Sequence, residues 1–176
     1  MRIIETKAFL FTELSEEAQR KAVEEYYHLP TSEDWWDNVY YDALTTAGLQ
    51  INAFDIDRAS YVNGEWDKDA NYSMRLIIEN HRVDTDTYKT AREFEDDWST
   101  LVRKYSEDGC GDIVAEGNEY EFDQEADELE KDFLYNLCEC YRIILTKEYE
   151  YLTSDKNIRD FLTINEYEFT EEGKLI

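Results

Sequence analysis

Apolar residues recur along this chain at helical spacing for most of its length. Ala18, Ala22, Val23 and Tyr26 fall on one face behind Ser15, with Glu16 and Glu17 in the first turn, which predicts a helix that stops before Pro30. Ser32 then precedes Trp35, Trp36, Val39, Tyr40, Ala43, Leu44 and Ala47, a second helical stripe closed by Gly48. Ala70, Met74, Ile77, Ile78 and His81 form a third, and Tyr88, Ala91, Phe94, Trp98, Leu101, Val102 and Tyr105 a fourth. The run 119–152 places Phe122, Ala126, Leu129, Phe133, Leu137 and Ile144 on one face, and Ser154 opens a short helix carrying Ile158, Phe161 and Leu162.

Between these stripes the pattern changes to that of strands. Residues 2–11, 49–57 and 59–66 read as strands, with Asn63-Gly64 as a tight turn or bulge, and the tail EYEFTEEGKLI reads as a terminal hairpin. The fold class is therefore α+β, a helix-dominated single domain with a small antiparallel sheet. One domain, 1–176, suits the length, and an acidic loop-plus-helix segment at 106–132 stands out within it.

Charge changes this picture. The chain holds 43 acids against 18 bases, a formal charge of −25. Binding nucleic acid directly would require an excess of Lys and Arg, so direct nucleic-acid binding is excluded, and an anionic membrane surface is disfavoured. Such acidity also suggests disorder, but 8 Phe, 14 Tyr and 4 Trp supply the apolar area that repays ordering. No stretch is apolar enough for a transmembrane helix, and MRIIETKAFLF lacks the features of a signal peptide. The three cysteines are odd in number, and Cys138 and Cys140 point to different sides of a helix; cytosolic thiols, hence a cytoplasmic protein, are the expectation.

The charge is also uneven. Residues 106–132 carry 12 acids and only Lys131, supplying −11 of the −25. At a rise of ~1.5 Å per residue, the acids from Glu119 to Asp132 line roughly 20 Å of helix. Glu121, Glu125, Glu128 and Asp132 share one stripe, where like charges repel and cost helix stability, partly offset by the helix N-terminus. Solubility alone needs a net charge of about 2–8 for a small domain. The excess points to a surface that offers a phosphate-like field to a basic protein groove, with Glu107, Asp108, Asp112, Glu119, Glu121, Glu125, Glu128 and Asp132 as the partner-binding residues. A purely solvated face is the other reading.

Catalytic and metal-binding patterns are scarce. The run DIDRASYVNGEW fails the spacing of an EF-hand, and no zinc-protease, phosphate-loop, dinucleotide or serine-hydrolase motif occurs. Asp55 and Asp57 alternate on a predicted strand and so share a face, as a paired-acid hydrolase would need; a polar strand face with a local ion pair to Arg58 is the favoured reading of the same residues. Asp108 and Asp112 could gather a cation in the loop EDGCGD, where Cys110 has no neighbouring base. His28 and His81 read as capping or packing residues. Trp35 and Trp36 read as core packing or as an aromatic anchor at an interface. No cofactor is expected.

Four segments, LSEEAQRKAVEEYY (14–27), WWDNVYYDA (35–43), FDIDRASY (54–61) and YEYLTSDKNIRDFLTINEYEFTEEGKL (149–175), together resemble a group of small acidic phage and prophage proteins often labelled antitoxin-like. The resemblance carries no catalytic motif and leaves 106–132 outside it. It implies an anti-defence protein, anti-CRISPR or anti-restriction, that inhibits a basic nucleic-acid-binding host protein or complex by imitating DNA. An antitoxin against a basic toxin, and a small metal-dependent hydrolase using Asp55, Asp57, Asp108 or Asp112, are the alternatives.

Overall fold

The computed structural model describes residues 7–106 and 118–176. In chain order the elements are β1 (Phe9–Leu10), α1 (Glu16–Glu25), α2 (Asp37–Ala47), β2 (Leu49–Asp55), β3 (Tyr61–Trp66), α3 (Ala70–Asn80), α4 (Asp86–Tyr105), α5 (Glu119–Leu152), α6 (Asp155–Ile164) and β4 (Glu168–Phe169), with 3-10 turns at Phe11–Glu13 and Leu29–Thr31. Helix dominates, and the described strands form two separate two-stranded antiparallel sheets, β1-β4 and β2-β3, rather than one sheet. The chain divides into two compact units, one formed by the segment up to Trp36 together with Thr146–Ile176, the other by Asp37–Leu145.

In the first unit, Ser15 and Ser154 start the two helices as their positions suggest. Ser15 Oγ accepts the Ala18 N–H and Ser154 Oγ accepts the Asn157 N–H, each at 3.3 Å. Ala18, Ala22 and Val23 of α1 and Ile158 and Leu162 of α6 bury their side chains with Phe11, Leu14 and Phe169 in one core. Phe169 lies between the rings of Phe11 and Tyr26, with centroids 6.1 Å away in both cases. The tail is the expected hairpin: the Thr170 N–H donates to Lys174 O at 2.7 Å, and the Ile176 N–H donates to Glu168 O at 3.1 Å.

In the second unit, α2 ends at Gly48, whose φ of 60° is left-handed. A Cβ at Gly48 would lie 2.7 Å from Ser73 Oγ, the hydroxyl that donates to Gly48 O at 3.1 Å. Asp69 and Thr85 cap α3 and α4. The α4 and α5 helices meet through aromatic rings: Phe94 stacks on Phe133 at 4.4 Å, and Phe122 takes the edges of Trp98 and Tyr105.

Two expectations are corrected, and one open choice is decided. Ser32 does not start a helix; it closes the 3-10 turn Leu29–Thr31, whose second residue is Pro30, and the left-handed φ of 22° at Asp34 breaks the chain's helical course. Trp35 and Trp36 therefore precede α2, with Trp35 packed against Trp36 at 5.8 Å and Tyr149 at 5.5 Å. Of the two readings of Asn63-Gly64, the bulge holds and the tight turn does not: Ile51 pairs with Gly64 and Ala53 with Asn63, so Asn52 is bulged opposite them and the turn lies at 56–60. The first strand, within the described residues, is only Phe9–Leu10, because the Leu10 N–H donates to the Glu13 carboxylate at 2.8 Å and the chain enters a 3-10 turn.

Candidate functional site

The periodicity of α5 sets its two faces. Ala126 and Phe133 are buried and Phe122 and Leu129 half-buried, as the apolar stripe predicts. Glu121, Glu125, Glu128 and Asp132 each precede one member of that stripe or follow it by one step of the helix, so they run along the border of the packed seam. All four are exposed, as are Glu119, Asp123 and Asp127. Glu107, Asp108, Asp112 and Cys110 lie outside the described residues.

Glu125 differs from its neighbours on the stripe. Both of its carboxylate oxygens accept from Lys104 Nζ at 2.7 Å, and Oε1 also accepts from Tyr105 Oη at 2.9 Å. The Lys104 and then the Tyr105 hydrogen bond hold its carboxyl below the usual range, and the same bond to Glu125 raises the Lys104 ammonium. One charge of the stripe is thus answered from α4. At the other end of the stripe, Asp132 lines a groove with Glu93 and Asp97 of α4. Glu130 is half-buried, and burial, followed by repulsion from Asp127 and Asp69, raises its carboxyl. Acidic side chains outside α5 therefore flank it on two sides, Glu93 and Asp97 beside Asp132 and Asp69 beside Glu130. Segment-by-segment charge counting hides these residues, because α4 also carries Lys89, Arg92, Arg103 and Lys104. Their phase was available: Glu93 and Asp97 each immediately precede a core-facing aromatic, Phe94 and Trp98.

The other sequence candidates have structural occupations. Asp55 is the last residue of β2, and its carboxylate accepts the backbone N–H groups of Asp57, Arg58 and Ala59 at 2.8, 3.1 and 3.4 Å. Those bonds, with Asp57's the largest, lower its pKa. Asp57 lies in the turn rather than on the strand, so the two acids do not form the expected paired face. Cys138 is buried and its thiol pushed up to about 11 by burial; burial raises Cys140 too, and both are free. Neither has the low pKa of a nucleophile. Among the described residues, no group of three or more His, Cys, Asp or Glu is placed to hold a metal ion, and no helix is long and apolar enough to cross a membrane.

His28 is exposed with its ring edge-on to Tyr27. His81 caps the C-terminal end of α3 and ties three helices together. Its Nε2 lies 2.8 Å from Thr46 Oγ1 of α2 and its Nδ1 lies 2.7 Å from Thr87 Oγ1 of α4. Thr46 donates to Asp42 O at 2.9 Å, so it accepts from Nε2–H, while Thr87, which meets Nδ1, also donates to Thr85 Oγ1 at 3.1 Å. Burial lowers the pKa of His81 below 6.5, against the opposing pull of Asp42. A depressed histidine contributes stability above its unfolded pKa and loses it as pH falls through that value. His81→Gln keeps one donor and one acceptor but does not titrate. In chemical denaturation from about pH 7.5 to about pH 5, the stability advantage of the parent over His81→Gln is expected to shrink. An advantage that grows on acidification would mean that Asp42 outweighs burial.

No protein-family model, curated protein or solved structure matches this chain. What the surface does is therefore read from its own geometry and charge.

Proposed function

We propose that the acidic surface of α5 and the adjoining edge of α4 binds a basic, nucleic-acid-handling protein in place of nucleic acid, making this an inhibitor of the anti-defence type and not a catalyst. The observation that carries this reading is the exposure of Glu119, Glu121, Asp123, Asp127, Glu128 and Asp132 along one helix. Over roughly 20 Å of axis, these carboxylates stand on a rigid support, braced by the aromatic seam to α4. Preorganised charge attracts a basic groove from a distance and loses little side-chain or backbone freedom on docking.

The test is Glu121→Gln, Glu128→Gln and Asp132→Asn together, with Glu125 retained because it holds Lys104. Against a host protein recovered with the full chain, this variant is expected to bind about 10- to 100-fold more weakly, mostly through a slower association rate. Binding by the parent should weaken steeply with salt and compete with duplex DNA or RNA for the partner. Thermal stability should hold or rise, since repulsion along the helix is relieved. Neutralising Glu16, Glu25 and Glu172 controls for net charge. An equal loss in that control would reduce the surface to bulk charge and overturn the reading.

A further inference from the structure

Within the first unit, α1, the last turn of α5 and the start of α6 enclose a groove of about 380 Å³. Val23 and Ile158 form its buried floor, Tyr27 and Tyr149 line it, and Glu24 and Asp155 supply carboxylates. Tyr149 is braced by the Trp35 ring at 5.5 Å, which Trp36 supports in turn. Tyr27 is 49% exposed, which leaves aromatic surface open beside an apolar floor. Asp155 Oδ2 accepts from Arg159 Nε at 2.7 Å, and Thr153 Oγ1 donates to Tyr149 O at 2.7 Å.

We propose that this groove receives an arginine side chain of a protein partner. The lining pairs aromatic rings with carboxylates and presents no basic group. An apolar side chain seated there would strip water from Glu24, and from Asp155 beyond its bond to Arg159, and give them nothing in return. A cation satisfies both kinds of wall, attracted by the ring faces and by the carboxylates. Arginine fits better than lysine because its guanidinium is planar, stacks on tyrosine and forks onto a carboxylate, while an ammonium holds its water more strongly. The three-carbon stem would cover Val23 and Ile158. Trp35 and Trp36 then act through Tyr149, as positioning residues. The site shares no residue with the α5 surface and stands whether or not that surface binds a partner.

The experiment titrates the isotopically labelled full chain with the peptide acetyl-Gly-Arg-Gly-amide at moderate salt, following backbone amides by NMR, beside citrulline and lysine counterparts. Saturable shifts are expected at Val23, Tyr27, Tyr149, Thr153 and Ile158. The citrulline and lysine peptides should each bind at least about 2- to 5-fold more weakly, the range a cation–aromatic contact supplies. Tyr149→Leu, and separately the more exposed Tyr27→Leu, should each weaken the arginine peptide by about 2- to 5-fold. Glu24→Gln should weaken it too, whereas Glu121→Gln with Glu128→Gln should not. Shifts confined to α5, equal binding of citrulline or of lysine, or unchanged affinity in both tyrosine variants would each overturn the assignment.

Discussion

Phe133→Ala is expected to destabilise the protein by about 3–5 kcal/mol, the usual loss when a large aromatic is cut from a packed core. Phe133 is 3% exposed and sits where three elements meet. Its ring stacks on Phe94 of α4 at 4.4 Å with an interplanar angle of 13°, and Trp66 of β3 lies 5.1 Å away. Truncation removes both ring contacts and opens space that Phe94, itself 3% exposed, cannot fill without leaving its own packing. Phe133→Leu retains most of the volume and should cost less. On the same helix, Tyr135 is 67% exposed, so Tyr135→Ala should change stability by less than ~0.5 kcal/mol. Urea denaturation followed by tryptophan fluorescence reads all three. A loss below ~1 kcal/mol for Phe133→Ala would mean that the aromatic seam does not hold α5, and the support claimed for the acidic surface would go with it.

The parts of this fold that were legible in the sequence are those fixed by neighbours in sequence. Helix α5 spans Glu119–Leu152 as read, but its buried stripe follows the expected phase only as far as Leu137. Beyond it Tyr141 and Leu145 are buried and Ile144, expected on that face, is exposed. Ser15 and Ser154 declare the starts of α1 and α6, since a capping hydroxyl bonds only three residues ahead. The rest was not legible from local signals alone. Trp35 and Trp36 match a helical stripe in spacing, but spacing does not reveal that Asp34 is left-handed. Asn63-Gly64 was legible only as a turn or a bulge; pairing across the hairpin decides for the bulge, where the missing side chain of Gly64 lets Gln50 O approach: a Cβ there would lie 2.8 Å from it. The acidic surface divides in the same way. Its phase on α5 follows from periodicity, whereas the pairing of Glu125 with Lys104 joins residues 21 apart and needs the α4–α5 hairpin to exist. Glu93 and Asp97 join the surface only through that tertiary arrangement.

Gly173→Ala is the second substitution expected to cost most, about 2–4 kcal/mol, from two sources that reinforce each other. The backbone at Gly173 has φ 86°, a conformation that an L-residue adopts only under strain. Independently, a Cβ there would lie 2.5 Å from Ala18 O, 3.2 Å from Ala18 C and 3.4 Å from Ala18 Cα. Those atoms belong to the backbone of α1, so no side-chain rotation relieves the contact. Either α1 shifts or the hairpin lifts. Lifting would draw the Leu175 N–H from Tyr26 Oη, now at 3.0 Å, and uncover Phe169, which is fully buried. Gly173→Asn separates the two sources, because asparagine tolerates the left-handed region but still carries a Cβ. If strain dominates, Asn should recover part of the alanine loss; if the clash with Ala18 dominates, it should recover none. Hydrogen exchange at the Leu175 amide reports the local event, with faster exchange expected in both variants. An alanine variant with parental stability and a protected Leu175 amide would show that the tail accommodates a methyl group against α1, contradicting the contact on which the closing of this core depends.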